Sequence, residues 1–203
     1  MAPVKNIIFD LGGVLLNIDF KLTGEAFKQL GVTGFNELYS KEAASHLFEK
    51  LETGDISNED FYAEMQQYCR PGTSFNEIQV AWNAILVSFR KESITYLPTL
   101  KERYGLYLLS NTNSIHHIKF SNFFREDFDY EFDTNFIKAY YSHEMHQRKP
   151  YVETYLYVLQ HSGLDAASTL FIDDAGVNIE GAKRAGLQTH LLLPDERIER
   201  LGL

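Results

Sequence analysis

Ile7-Ile8-Phe9-Asp10-Leu11-Gly12-Gly13-Val14-Leu15-Leu16 is the stretch whose reading decides the fold. An apolar run of this length, rich in Ile and Phe and followed by glycines, predicts a strand buried on both faces. Asp10 falls where that strand ends. Gly12 and Gly13 let the chain turn tightly and approach a ligand closely. In open α/β sheets the chemistry sits outside the carboxyl ends of the strands. Two readings of Asp10 follow from the stretch alone: a reactive acid at the sheet edge, or an Asx-turn residue that caps what comes next.

Two further runs repeat the pattern. Leu106-Tyr107-Leu108-Leu109 runs into Ser110-Asn111-Thr112-Asn113, and Thr169-Leu170-Phe171-Ile172 runs into Asp173-Asp174. A weaker strand is expected within Ile137–Tyr140 and a last one over Thr189–Leu193, stopped by Pro194. Helices are expected between them, over Ser93–Tyr104 despite Pro98, over Val152–His161 ended by Gly163, and over Ile179–Ala185 ended by Gly186. Strands alternating with helices give an α/β fold with a parallel sheet and helices on both faces. Right-handed crossovers put all carboxyl ends on one side, so Asp10, Ser110, Asp173 and Asp174 should converge there.

From about Phe20 to Phe89 the periodicity is helical throughout. Phe27 and Leu30 before Gly31, then Phe35, Leu38 and Tyr39, then Leu47, Phe48 and Leu51 before Gly54, mark successive helices. Ser57 with Asp60 is a capping-box signal. Ser74 is placed to cap a helix carrying Ile78, Ala81, Trp82, Ile85 and Leu86. This predicts an inserted helical bundle over residues 18–89, with the α/β core formed by 1–17 and 90–203. A bundle of about 70 residues is within the size of a small domain.

Composition narrows the function classes. Of 203 residues, 44% are hydrophobic and the formal net charge is −9, which argues against a duplex-binding surface. The single cysteine, Cys69, forms no internal disulfide and reads as a packed residue of a helix. No run is long enough to span a bilayer, and no secretory leader is legible, so a cytoplasmic protein without membrane or nucleic-acid partners is expected. Whether it is a monomer or a homodimer stays open.

Three converging carboxylates repel one another unless a cation joins them. Magnesium fits, because it binds through one or two carboxylates and fills its shell with water and substrate phosphate. Asp10 then has the makings of a nucleophile. Ser110 and the backbone beside Asn111 are placed to hold phosphate oxygens, and Lys149, just before a helix, to neutralise charge.

In this order, Asp10-Leu11-Gly12-Gly13-Val14, Ser110-Asn111, Lys149-Pro150 and Asp173-Asp174 with Asn178 resemble the motifs of the haloacid dehalogenase (HAD) superfamily. The likeness covers essentially the whole chain, and the 18–89 insert resembles the helical cap of one subgroup. Leu108–Asn113 and Glu52–Ser57 look like the bacterial α-glucose-1-phosphate phosphatase branch. The surroundings of Asp173, Asp174 and Asn178 look like the phosphatase domain of soluble epoxide hydrolase. The resemblance implies a Rossmann-like core and a magnesium-dependent phosphatase for a small phosphorylated metabolite, possibly a sugar phosphate, working through an aspartyl-phosphate on Asp10. It implies that Asp10, the Gly12 carbonyl and Asp174 hold magnesium. Asp173 is a further ligand or stands behind the metal, Asn178 stands behind it and orients a magnesium water, Ser110 and Asn111 grip the phosphoryl group, and Lys149 balances charge beside Asp10.

The chain departs from that pattern at Gly12, where most such phosphatases carry the aspartate that protonates the leaving group. General acid catalysis is worth about 10²- to 10⁴-fold, so its loss weakens an enzyme rather than abolishing it. Asp19 is one substitute or a helix cap. His116 and His117 face the site or are ordinary core or surface histidines. Glu52 and Asp55 lie in the expected cap loop, reading substrate hydroxyls or merely solvated. Trp82 reads as core and Asn83 as polar lining. Competing functions are a dehalogenase, a phosphomutase, or a binding protein that kept the fold without turnover.

Overall fold

The computed structural model describes residues 2–35 and 42–203, with the side chains of 42–45 excepted. Leu38 and Tyr39 of the sequence reading lie outside the described residues.

Strand β1 (Asn6–Phe9) forms the middle of a five-stranded sheet. Its neighbours are β4 (Gly105–Ser110) on one side and β6 (Thr169–Asp173) on the other, both parallel to it. β5 (Lys138–Tyr141) flanks β4 and β7 (Gln188–Leu191) flanks β6, giving the order β5-β4-β1-β6-β7 with every pairing parallel. The register sets Phe9 opposite Leu108 and Ile172, so the residues that follow each strand emerge on one edge.

The period-two geometry of a strand divides β1 between two cores. Ile7 and Phe9 pack with α5 (Lys91–Lys101) and α6 (Ser114–Phe128) through Ile94, Leu97, Phe120 and Phe124. Ile8 packs on the other face with α8 (Val152–Ser162) and α9 (Gly176–Arg184) through Tyr155, Val158 and Ile179. Both faces of the parallel sheet are therefore covered, as burial of an all-apolar strand requires.

Helix α6 was not legible in the sequence. Its 15 residues bury Ile115, Phe120 and Phe124, but Ile118 on the same helix is exposed, so the apolar stripe is blurred. The available signal was Asn113, whose Oδ1 accepts from the His116 N–H at 3.0 Å as N-cap.

The insert builds a third core. α1 (Phe20–Gln29), α2 (Glu42–Glu52), α3 (Asn58–Gln66) and α4 (Phe75–Asn83) enclose Phe27, Phe48, Phe61, Met65 and Trp82. The Ser57 and Ser74 capping boxes both form, with Asp60 and Glu77 as reciprocal partners. Helix α4 stops at Asn83, short of the expected Leu86. Leu86–Phe89 instead forms β3, antiparallel to β2 (Leu16–Ile18). That pairing joins residues about seventy positions apart, which local periodicity does not register, and it overrides the helical pattern. The β2–β3 ribbon links bundle and core, with Leu16 and Phe89 packed in the core. The short α7 (Ser142–Met145) follows β5 directly.

Candidate active site

Asp10 sits one residue beyond β1, its N–H bonded to the Ile172 carbonyl at 2.9 Å. Its carboxylate is buried, and Oδ1 accepts from the Leu11 N–H at 2.7 Å. Lys149 is only 1% exposed, and its Nζ lies 2.7 Å from Asp10 Oδ1 and 2.7 Å from Asp173 Oδ2. One ammonium thus bridges two carboxylates from two adjacent strands.

Two residues hold that bridge in place. The Asn111 amide grips the Lys149 backbone in both directions, with Nδ2 donating to the Lys149 carbonyl and Oδ1 accepting from its N–H, each at 2.9 Å. Asn178 Nδ2 donates to both oxygens of Asp173, at 3.1 and 3.0 Å, and the Ala175 N–H donates to Oδ1 at 2.8 Å. Asn178 therefore stands behind Asp173. The Asn111 side chain faces Lys149, which leaves its backbone rather than its amide for a phosphoryl group.

Burial pushes the Asp10 carboxyl up to about 7; Lys149 opposes this and Asp173 adds to it. Burial and then Asp173 likewise raise Asp174. Burial disfavours the Lys149 charge, but Asp10 and Asp173 more than offset it and hold the ammonium above its ordinary range. Three carboxylates with one ammonium leave an excess of negative charge.

The donor set fits a hard cation. Asp10, Asp173 and Asp174 each offer a carboxylate oxygen within 4.8 Å of the others. Asp174 lies against the turn after Asp10, so closely that a Cβ on Gly13 would overlap its carboxylate. Gly13 also has φ +70, a conformation disfavoured for residues with a side chain. The glycine turn thus clears room for the acid of the last motif.

A cavity of about 120 Å³ opens between this sheet edge and the bundle, lined by Gly12, Ser110 and Asn111 below and Glu52, Trp82 and His116 above. A roomier depression of about 460 Å³ outside α1 holds none of these groups and is not the site. His116 is buried, stacks on Trp82 at 4.9 Å and has its Nδ1 3.0 Å from Asn83 Oδ1. Burial lowers its pKa to about 3, so it stays neutral. Asn83 backs His116 instead of lining the cavity, whereas Trp82, read as core alone, forms part of the wall. His117 points elsewhere, against Tyr141 at 4.2 Å. Asp19 is the N-cap of α1, accepting from Lys21 at 2.9 Å. Asp55 braces its own loop, accepting from Thr53 Oγ1 at 2.6 Å.

Arg148, the residue before Lys149, carries no sequence motif of its own. Its Nη2 lies 3.0 Å from Glu52 Oε2 and its Nη1 3.8 Å from Glu49 Oε1. The residue beside Lys149 therefore fastens α2 to the core. Burial raises the Glu52 carboxyl, with Arg148 opposing. No local signal linked the two, since about a hundred residues separate them.

The family model of haloacid dehalogenase-like hydrolases matches residues 4–186. The chain belongs to this family. It is 29% identical over 191 residues to the D-ribitol-5-phosphate phosphatase of Bacteroides thetaiotaomicron, covering 92% of this chain and 90% of that protein. A HAD family enzyme of the same organism, solved with magnesium and inorganic phosphate, superposes with a TM-score of 0.88 at 32% identity, covering 98% of this chain and all (100%) of the other. A HAD-like hydrolase of Porphyromonas gingivalis superposes with a TM-score of 0.86 at 32% identity, covering 96% and 94% of the two chains. Membership of the HAD family and the α/β HAD fold are thus borne out. Neither branch singled out from the sequence, glucose-1-phosphate phosphatase or epoxide hydrolase, is among these relatives. No helix among the described residues is long and apolar enough to cross a membrane.

Proposed function

We propose that this HAD hydrolase is a magnesium-dependent phosphatase acting on a small phosphorylated polyol or sugar. The observation that carries the reading is the buried Asp10 carboxylate, paired with Lys149 and facing Asp173 and Asp174. Similarity to a D-ribitol-5-phosphate phosphatase supports the substrate class.

Asp10, the Gly12 carbonyl and Asp174 would hold the ion, with Asp173 and Asn178 behind them. Bound magnesium supplies positive charge to the carboxylates and to the incoming phosphoryl oxygens. The Leu11 N–H and Lys149 both bond Oδ1 and so orient the carboxylate for in-line attack. Asp10 bonds to phosphorus as the bond to the leaving oxygen breaks, giving an aspartyl-phosphate and an alkoxide that takes a proton. Water then attacks phosphorus, releasing inorganic phosphate and restoring Asp10. Ser110 and the backbone after it would hold the phosphoryl oxygens.

Gly12 supplies no proton. Among the described residues lining the cavity, Glu52 and His116 are the titratable side chains, and burial holds His116 neutral, with no proton to give. Glu52, its carboxyl raised by burial, is the group we assign to the leaving oxygen.

The test is phosphate release from a panel of polyol and sugar phosphates, with magnesium or with EDTA. Release that needs magnesium and disappears in Asp10→Asn supports the reading. Undiminished release from Asp10→Asn removes Asp10 as nucleophile, and magnesium binding without release from any substrate favours a binding protein.

A further inference from the structure

Among the described residues a second group of metal-binding side chains lies apart from the carboxylates. His117, His143 and Glu144 each present a ligand atom within 4.8 Å of the others. His117 comes from the first turns of α6, while His143 and Glu144 come from α7. None of the three lines the catalytic cavity.

The geometry is that of a half-formed site. The two imidazole rings meet edge to face with centroids 5.4 Å apart, and His117 Nδ1 lies 3.9 Å from Glu144 Oε1. That separation is too long for a good ion pair and leaves room for an ion between the two. His143 is half-buried, with its Nδ1 shielded from solvent. Tyr141 at 4.2 Å and Phe120 at 5.2 Å fix the His117 ring from behind. Glu144 is the exposed member of the set, with its side chain 57% exposed.

We infer that His117, His143 and Glu144 form a binding site for a borderline transition-metal ion of the zinc class. Two imidazoles and one carboxylate suit zinc, nickel or copper, whereas magnesium prefers all-oxygen sites, so the two clusters discriminate by ligand type. Three protein ligands leave a fourth position for water.

The site has structural consequences because of its neighbours. Ser142 Oγ accepts from the Thr112 N–H at 2.9 Å and donates to the Thr112 carbonyl at 2.8 Å, which joins α7 to the loop that follows Ser110. The His143 carbonyl abuts Gly54 in the bundle, where a Cβ would overlap it. A metal clamp between α6 and α7 therefore holds the loop after β4 and the seat of the Glu52–Asp55 loop.

The experiment is a zinc chloride titration of the tag-free full chain, with magnesium saturating, followed by calorimetry and by thermal melting. The same titration is run on Asp174→Asn, Glu144→Ala and His143→Asn. Expected are one zinc equivalent and a raised melting temperature in wild type and in Asp174→Asn. Loss of an outer-shell partner alone costs about 10- to 100-fold in metal affinity, so loss of the Glu144 ligand should cost at least that. His143→Asn should lose the equivalent. Glu144 is exposed, so its variant keeps the test open should His143→Asn misfold. Absence of zinc binding in wild type, unaltered binding in Glu144→Ala, or loss of binding in Asp174→Asn overturns the inference.

Discussion

Replacing Gly13 by alanine tests the site at the point where the first and last motifs touch. Two penalties are built into the position. Gly13 has φ +70, and a residue with a Cβ pays about 1–2 kcal/mol there. The added methyl would also occupy the space of the Asp174 carboxylate. Asp174 is exposed as a residue although its carboxyl is partly desolvated, so its side chain has somewhere to swing, and the clash resolves by moving it rather than by unfolding the core. The stability loss is then mainly the backbone term. A 1 kcal/mol loss lowers Tm by about 2–4 °C in a domain of this size, so a fall of about 2–8 °C is expected. The functional loss should be much larger, because the displaced group is a proposed ligand. Magnesium affinity should fall by at least about 10- to 100-fold, the range seen for weaker perturbations of metal sites. Magnesium titration of phosphate release, beside thermal melts of the same samples, reads both quantities. A variant that melts lower but keeps the wild-type magnesium dependence would refute the placing of Asp174 at the metal.

Lys149→Met removes the ammonium while keeping the apolar stem, leaving Asp10 and Asp173 buried without their cation; a loss of about 3–5 kcal/mol is expected, partly recovered by magnesium, and an unchanged melting curve would contradict the bridge. Glu52→Gln should slow release from alkyl phosphates by about 10²-fold or more and leave p-nitrophenyl phosphate, whose leaving group needs no proton, nearly unaffected; equal losses on both would remove Glu52 as the acid. His116 has a folded pKa of about 3 against 6.5 when unfolded, so below about pH 6.5 the unfolded chain binds the extra proton and stability falls with pH. At 1.36 kcal/mol per unit this amounts to about 2 kcal/mol at pH 5, and His116→Phe should flatten that part of the curve measured by urea unfolding.

The legible parts of the molecule were those encoded by short-range pattern. Ile7–Phe9, Leu106–Leu109 and Thr169–Ile172 read as buried strands because each is continuously apolar, and their ends delivered Asp10, Ser110 and Asp173 to one edge. The Ser57 and Ser74 caps were legible because both partners lie within three residues. What escaped depends on distant partners. The β2–β3 ribbon exists because Leu86–Phe89 finds Leu16–Ile18. Arg148 matters through Glu52, and the Asn111 amide through the Lys149 backbone. Helix α6 was hidden by its own surface, where exposed Ile118 interrupts the two-sided pattern.

The central position of β1 has a consequence for synthesis of the chain. Residues 6–9 are made first, yet both their hydrogen-bonded neighbours, 105–110 and 169–173, are made far later. The bundle core, by contrast, draws almost all its residues from Phe27 to Trp82, with Ile115 as the late arrival. Local contacts form quickly and distant ones wait for loop closure. On a ribosome the bundle is therefore complete while β1 still trails an unpaired apolar edge. The surroundings of Asp10 assemble only when residues 169–173 have emerged, so nascent chains depend on protection of Ile7, Ile8 and Phe9 until then.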